Sequence, residues 1–106
     1  MAAAAVFDAL GNAHRRTIVA LLAAGPRPVN DIARQLPVSR PAVSKHLRIL
    51  EDAGLVSFVR DGNRHLFALD RSGFELARGW IDQFWLEALG RFAAVAEGPD
   101  PSEGAR

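Results

Sequence analysis

The chain contains no cysteine. Disulfides, thiolate metal sites and thiol redox switches are therefore excluded. No apolar run approaches the ~20 residues that a membrane-spanning helix needs. The opening Met1-Ala2-Ala3-Ala4-Ala5-Val6 has neither the basic leader nor the long apolar stretch of a secretion signal. A cytoplasmic location without a membrane partner is expected. Catalytic spacings are missing as well: there is no Gly-rich phosphate loop and no readable nucleophile–base pair. The adjacent Glu51-Asp52 reads as a solvated helix end. His14, His46 and His65 fall on three separate segments, without the i,i+4 or His-x-His spacing of metal ligands. An enzyme is not expected, nor a metal site, nor a cofactor. Lysine is nearly absent, with a single Lys45 against twelve arginines.

What is present fits one domain of 106 residues, read as a folded unit over 1–97 and a disordered polar tail over 98–106. The formal net charge of +1 hides an uneven distribution. Residues 12–64 hold nine basic and four acidic side chains, a balance of 9 − 4 = +5. Residues 74–106 hold three basic and six acidic ones, 3 − 6 = −3. A cationic middle is suited to a polyanion, and an anionic end to some other task.

The most informative stretch is 39–55, Ser-Arg-Pro-Ala-Val-Ser-Lys-His-Leu-Arg-Ile-Leu-Glu-Asp-Ala-Gly-Leu. Ser39 can cap a helix, Pro41 suits its first turn, and Gly54 can end it. At helical spacing Val43, Leu47 and Leu50 make one apolar stripe. Pro41, Ser44, Lys45, Arg48 and Asp52 face the other way. Hydroxyl, ammonium and guanidinium groups on one helix face are what a DNA major groove can meet.

The rest of the chain frames that helix. The periodicity predicts helices over 3–10 and 13–24, with Ile18, Leu21 and Leu22 as the second one's apolar face. Gly25-Pro26-Arg27-Pro28 breaks the run. A short helix over 31–36, capped by Asn30, would bury Ile32, Ala33 and Leu36 and lead through Pro37-Val38 into the 39–53 helix. Two short helices joined by a tight turn make a helix-turn-helix. Residues 55–60 and 64–69 are rich in β-branched and aromatic types, and Asp61-Gly62-Asn63 is a reversal signal. This hairpin reads as a wing, with Arg60 and Arg64 at its tip for phosphates or a minor groove. A last helix over 73–97, capped by Asp70 or Ser72, carries a broad apolar band. Leu76, Ala77, Trp80, Ile81, Phe84, Trp85, Ala88, Leu89, Phe92 and Val95 form it. That exceeds the need of one domain's core and reads as a dimer face, joined by the first helix. The fold class is thus mainly α with a β-hairpin, dimerising through its terminal helices.

Three stretches resemble the winged helix-turn-helix repressors of the ArsR family. They are Phe7-Asp8-Ala9-Leu10-Gly11-Asn12-Ala13-His14-Arg15-Arg16-Thr17-Ile18, the run from Val38 to Val56, and Gly62-Asn63-Arg64 followed by Leu69. Family members commonly carry Asp and Thr where this chain has Asn12 and His14. The resemblance implies a homodimeric repressor on an imperfect inverted repeat of double-stranded DNA. It places base reading on Arg40, Pro41, Ser44 and Lys45. Backbone or minor-groove contacts fall on Arg15, Arg16, Ser39, Arg48, Arg60, Asn63 and Arg64, with His46 either structural or a phosphate contact. The dimer face falls on Val6, Phe7, Leu10, Trp80, Ile81, Phe84, Trp85, Ala88, Leu89 and Phe92. The last helix, with Trp80 and Phe84-Trp85, resembles the branch of the family that does not sense metals, and the cysteine-free chain departs from the metal-sensing members. A small-molecule effector is left open. The competing expectation is a winged-helix protein-interaction module that uses the apolar terminal helix to meet a heterologous partner.

Overall fold

A computed structural model describes residues 2–97, with side chains through Phe92. The order is α1 (Ala3–Leu10), α2 (Ala13–Ala23), α3 (Val29–Ala33), α4 (Arg40–Asp52), β1 (Val56–Asp61), β2 (Arg64–Leu69) and α5 (Arg71–Glu97). This is a winged helix-turn-helix. The tail expected over 98–106 lies outside the described residues, and Val95 outside the described side chains.

Local chemistry explains most boundaries. Asn12 caps α2 by accepting the Arg15 N–H at 3.1 Å, so amide replaces carboxylate with the cap intact. The Ser39 hydroxyl accepts the Ala42 N–H at 3.3 Å at the start of α4. The other end of α4 closes in a Schellman motif. The Gly54 N–H donates to Glu51 O and the Leu55 N–H to Leu50 O, both at 3.0 Å. That geometry requires the positive φ of 77° at Gly54, which a side chain would strain. At the start of α5 the Asp70 carboxylate accepts the Ser72 N–H at 2.9 Å and the Ser72 hydroxyl at 2.8 Å. Asp70 is therefore the cap, and those bonds hold its carboxyl below the usual aspartate range.

α3 departs from expectation. It starts two residues early, with Pro28 preceding its first residue, and Asn30 lies inside it. The cause is tertiary. Arg27 and Phe67 exchange backbone hydrogen bonds of 2.9 and 2.8 Å, which brings the chain in beside β2 and starts the helix directly afterwards. The expected stretch to Leu36 continues only as tight i to i−3 turns, Gln35 to Ile32 and Leu36 to Ala33.

The hairpin pairs antiparallel from Val56 with Leu69 to Asp61 with Arg64. Gly62 has φ 65° while Asn63 stays at negative φ, as two-residue hairpin turns with a leading glycine do. One core serves every element. Val6, Ala9, Ile18, Leu22, Ile32, Leu36, Val43, Leu47, Leu50, Leu55, Val56 and Ala77 are buried in a single cluster.

Gly73 joins the two functional halves. Its N–H donates to Gly54 O at 2.7 Å. A Cβ on Gly73 would lie 2.6 Å from that oxygen and 2.7 Å from Ala53 O. The start of α5 thus docks by backbone approach onto the end of α4, a role for Gly73 that periodicity does not reveal.

Candidate nucleic-acid interface

α4 has a buried side and a chemical side. Val43, Leu47 and Leu50 are sealed in the core, while Arg40, Pro41, Ser44, Lys45 and Arg48 are all exposed. The outward face forms a shallow depression bounded by Pro41, Ser44, Lys45, Arg48 and Asp52. Arg40 to Arg48 spans roughly 12 Å along the axis at the helical rise, about the width of a major groove. No other element covers this face among the described residues.

The hairpin sorts its tip residues by register. Val56 with Leu69, Phe58 with Phe67, and Arg60 with His65 are cross-strand pairs on one face. That face turns toward α4, since Phe58, His65 and Phe67 share a groove with Ser44, Arg48 and Glu51. Arg64 pairs with Asp61 on the opposite face, in the row of Val59 and Leu66. The two tip arginines therefore address different surroundings, a distinction that their symmetric spacing in the sequence hides. Arg60 donates to His65 Nε2 at 3.1 Å.

Two expected backbone contacts on α2 are otherwise engaged. The Arg15 guanidinium donates to Ala9 O at 2.7 Å, to Asp8 O at 3.3 Å and to His46 Nδ1 at 3.2 Å. Arg16 donates to Leu10 O at 2.8 Å and stays exposed. These carbonyls belong to the last turn of α1, where the helix dipole favours cations; Asp8 O also accepts the Gly11 N–H at 3.1 Å. The Arg15 fork thus closes α1 and ties it to α4, a structural role that the sequence reading did not include.

His46 is the α4 end of that tie. A guanidinium can only donate, so Nδ1 accepts and the ring proton sits on Nε2. Burial first, then the Arg15 charge, then His14 and Lys45 push its pKa below the ordinary value of 6.5. His46 thus has a structural contact with Arg15 through Nδ1.

The expected dimer face divides in the same way. Val6 is fully buried in the chain's own core and unavailable to a partner, a correction. Its place on α1 points it inward with Ala9, whereas Phe7 points outward. Leu10 is half-buried against the core, and Ala88 is half-buried. Phe7, Trp80, Ile81, Phe84, Trp85, Leu89 and Phe92 are exposed, Trp85 by 55% and Phe92 by 71%. Phe7 meets Trp80 edge-on at 5.5 Å, and Trp80 stacks on Phe84 at 5.5 Å with 6° between planes. Leu86, 67% exposed, lies off the helical stripe and escaped the periodicity.

These features agree with known proteins. Residues 12–57 match the family model described as "Bacterial regulatory protein, arsR family". The chain is 45% identical over 96 residues to the HTH-type transcriptional regulator Rv2034 of Mycobacterium tuberculosis, covering 89% of this chain and 90% of that one. It is 33% identical over 79 residues to the transcriptional repressor SdpR of Bacillus subtilis, covering 74% and 88%. The homodimeric winged helix-turn-helix DNA-binding domain (fragment 1–100) of Mb0332 from Mycobacterium bovis superposes with a TM-score of 0.60 at 34% identity, covering 86% of this chain and 76% of that one. The chain belongs to the ArsR family of bacterial regulators.

Proposed function

We propose that this chain is a homodimeric transcriptional repressor that reads an inverted-repeat operator with α4 and grips the DNA backbone with its wing. The observation that carries this reading is the division of α4, with its apolar stripe sealed in the core and its hydroxyl and cationic face open. Arg40, Pro41, Ser44 and Lys45 read bases; Ser39, Arg48, Arg60, Asn63 and Arg64 meet the backbone or minor groove. Arg16, still exposed, stands at the margin of that set. The aromatic face of α5, with Phe7, joins two copies, as the homodimeric relative suggests. Residues 1–97 then act as one DNA-binding and dimerisation unit in the cytoplasm. Among the described residues no helix is long and apolar enough to cross a membrane. The relatives are named as regulators, and we assign the chain no catalytic role.

A mobility shift on the chain's own upstream DNA tests this. Binding should fall steeply with salt, because counterion release supplies much of the affinity. Arg40→Ala should cost about 1–3 kcal/mol on the preferred sequence and relax base choice. Arg64→Ala should weaken every duplex alike. Equal binding to scrambled duplex, or none at low salt, would overturn the proposal. A stable monomer by light scattering would instead favour a protein-interaction module.

A further inference from the structure

The wing carries more than its arginines. Phe58 sits on an exposed hairpin yet keeps a large apolar ring 48% open. It contacts His65 edge-on at 5.1 Å and Phe67 at 5.0 Å. All three rings line a groove of about 320 Å³ whose opposite wall is Ser44, Leu47, Arg48 and Glu51 of α4. Arg60 stands on the same hairpin face, one cross-strand pair further toward the tip. The groove thus has an aromatic wall on the hairpin and the Arg48 guanidinium on the α4 wall, with Arg60 beyond it toward the tip, bonded to His65.

We propose, resting on the DNA-binding reading above, that this groove seats one sugar-phosphate strand of the operator. The deoxyribose packs on the open face of Phe58, and the adjoining phosphate lies between Arg48 and Arg60. His65 positions Arg60. Its Nε2 accepts a guanidinium N–H, which orients the fork and leaves its other N–H groups for phosphate oxygens. The occupant follows from the chemistry of the walls. An apolar ring with one cation across the groove and another toward the tip matches a chain that alternates an apolar sugar edge with an anion. A small apolar ligand would not need the arginines, and an inorganic anion would not need the ring. Glu51 on the α4 wall faces the groove as well. Its charge disfavours a second phosphate there, which limits the seat to a single phosphodiester beside Arg48 and Arg60.

The groove thereby fixes register. Base contacts from α4 specify sequence, while a sugar held on Phe58 sets how deeply the helix enters the major groove. An apolar contact and an ionic one differ in their response to salt, and the test uses that difference. Affinity of the full chain for its operator duplex is measured by fluorescence anisotropy across a salt series. Phe58→Ala should weaken binding about five- to tenfold, the worth of covering half a Phe ring, with the salt slope unchanged. Arg60→Ala should weaken it and lower the slope by about one. His65→Ala should weaken it less than Arg60→Ala, and the double variant should match Arg60→Ala alone.

Circular dichroism accompanies each variant. If Phe58→Ala disturbs the hairpin, Phe58→Leu replaces it and should still bind severalfold more weakly, since it keeps cross-strand packing on Phe67 and loses the flat ring. A folded Phe58 variant that binds like the parent at all salt concentrations overturns this proposal while leaving the repressor reading intact. If the parent chain binds no duplex, the repressor reading itself has failed. A Phe58 loss that comes with a reduced salt slope also overturns it, because the ring would then act only through the arginines.

Discussion

Up to Ala77 the large aliphatic side chains go inside, Val59 on the wing excepted; from Trp80 to Phe92 the large apolar side chains stay outside. Ile18, Ile32, Leu47, Leu50 and Leu55 are fully buried, while Trp80, Phe84, Trp85, Leu89 and Phe92 are 47–71% exposed. Both sets are equally reluctant to meet water. What separates them is a second layer. In the helical body the apolar faces find other elements to cover them, as α4 does against α2, α3 and β1; the wing, with Phe58 and Val59 exposed, is the exception. Beyond the first turns of α5 only the edge of α1 reaches over among the described residues, through Phe7. Apolar side chains left open at that density mark an interface. Charge follows a different pattern, with an excess of cations over residues 12–64 and of anions over 74–106. On the proposed reading, the aromatic face of α5 joins copies and the cationic face meets a polyanion.

The sharpest way to break this contrast is a pair of truncations. Leu50→Ala should cost about 2–5 kcal/mol in denaturant unfolding, because it opens a cavity in the sealed core. Trp85→Asp should barely change the fold of a single chain. It should raise the dimer dissociation constant more than about 100-fold by setting a charge against an apolar surface. Sedimentation velocity checks the second and urea unfolding the first. If Trp85→Asp unfolds the chain as Leu50→Ala does, the aromatic face of α5 belongs to the core after all.

A smaller effect probes the seam between the halves. Gly73→Ala should destabilise by about 1–3 kcal/mol, since the added methyl meets the Ala53 and Gly54 carbonyls and the backbone must move. DNA affinity should fall further than stability alone explains, because α5 and α4 share that contact. Thermal melts alongside anisotropy measure both.

The smallest effect concerns His46. Its pKa lies below the ordinary 6.5 because burial and the Arg15 charge disfavour the imidazolium. Folding therefore prefers the neutral ring. That contribution is complete above the ordinary histidine range and is lost as pH falls through it. Between pH 7.5 and 5.5, urea midpoints of the parent should fall more than those of His46→Asn, which keeps an acceptor near Nδ1 and cannot protonate. Equal acid sensitivity would contradict the Arg15–His46 tie. His14, within 5.8 Å of the His46 ring, and Lys45 add to the same repulsion.

Much of the fold was legible because local chemistry coincides with element ends. Ser39, Pro41 and Gly54 bound α4 without help from the rest of the chain, and Asp61-Gly62-Asn63 turns the hairpin. α3 was misplaced because its start is set by the Arg27–Phe67 pairing, which lies 40 residues apart in sequence. The outward residues of α4 were readable from periodicity alone. Arg15 was not, since nothing local shows that the end of α1 lies within reach of its fork. Val6 was assigned to the outside because Val6 and Phe7 are equally apolar; only packing shows which of two neighbours turns inward. The wing's division into an Arg60 face and an Arg64 face needs the strand register, and with it came the aromatic groove.

The most direct test is sedimentation of the chain with a duplex carrying its upstream inverted repeat, beside a duplex of the same bases scrambled. The account predicts two chains per operator duplex, at a salt concentration where the scrambled duplex sediments free. One chain per duplex, or equal loading of both, would contradict it.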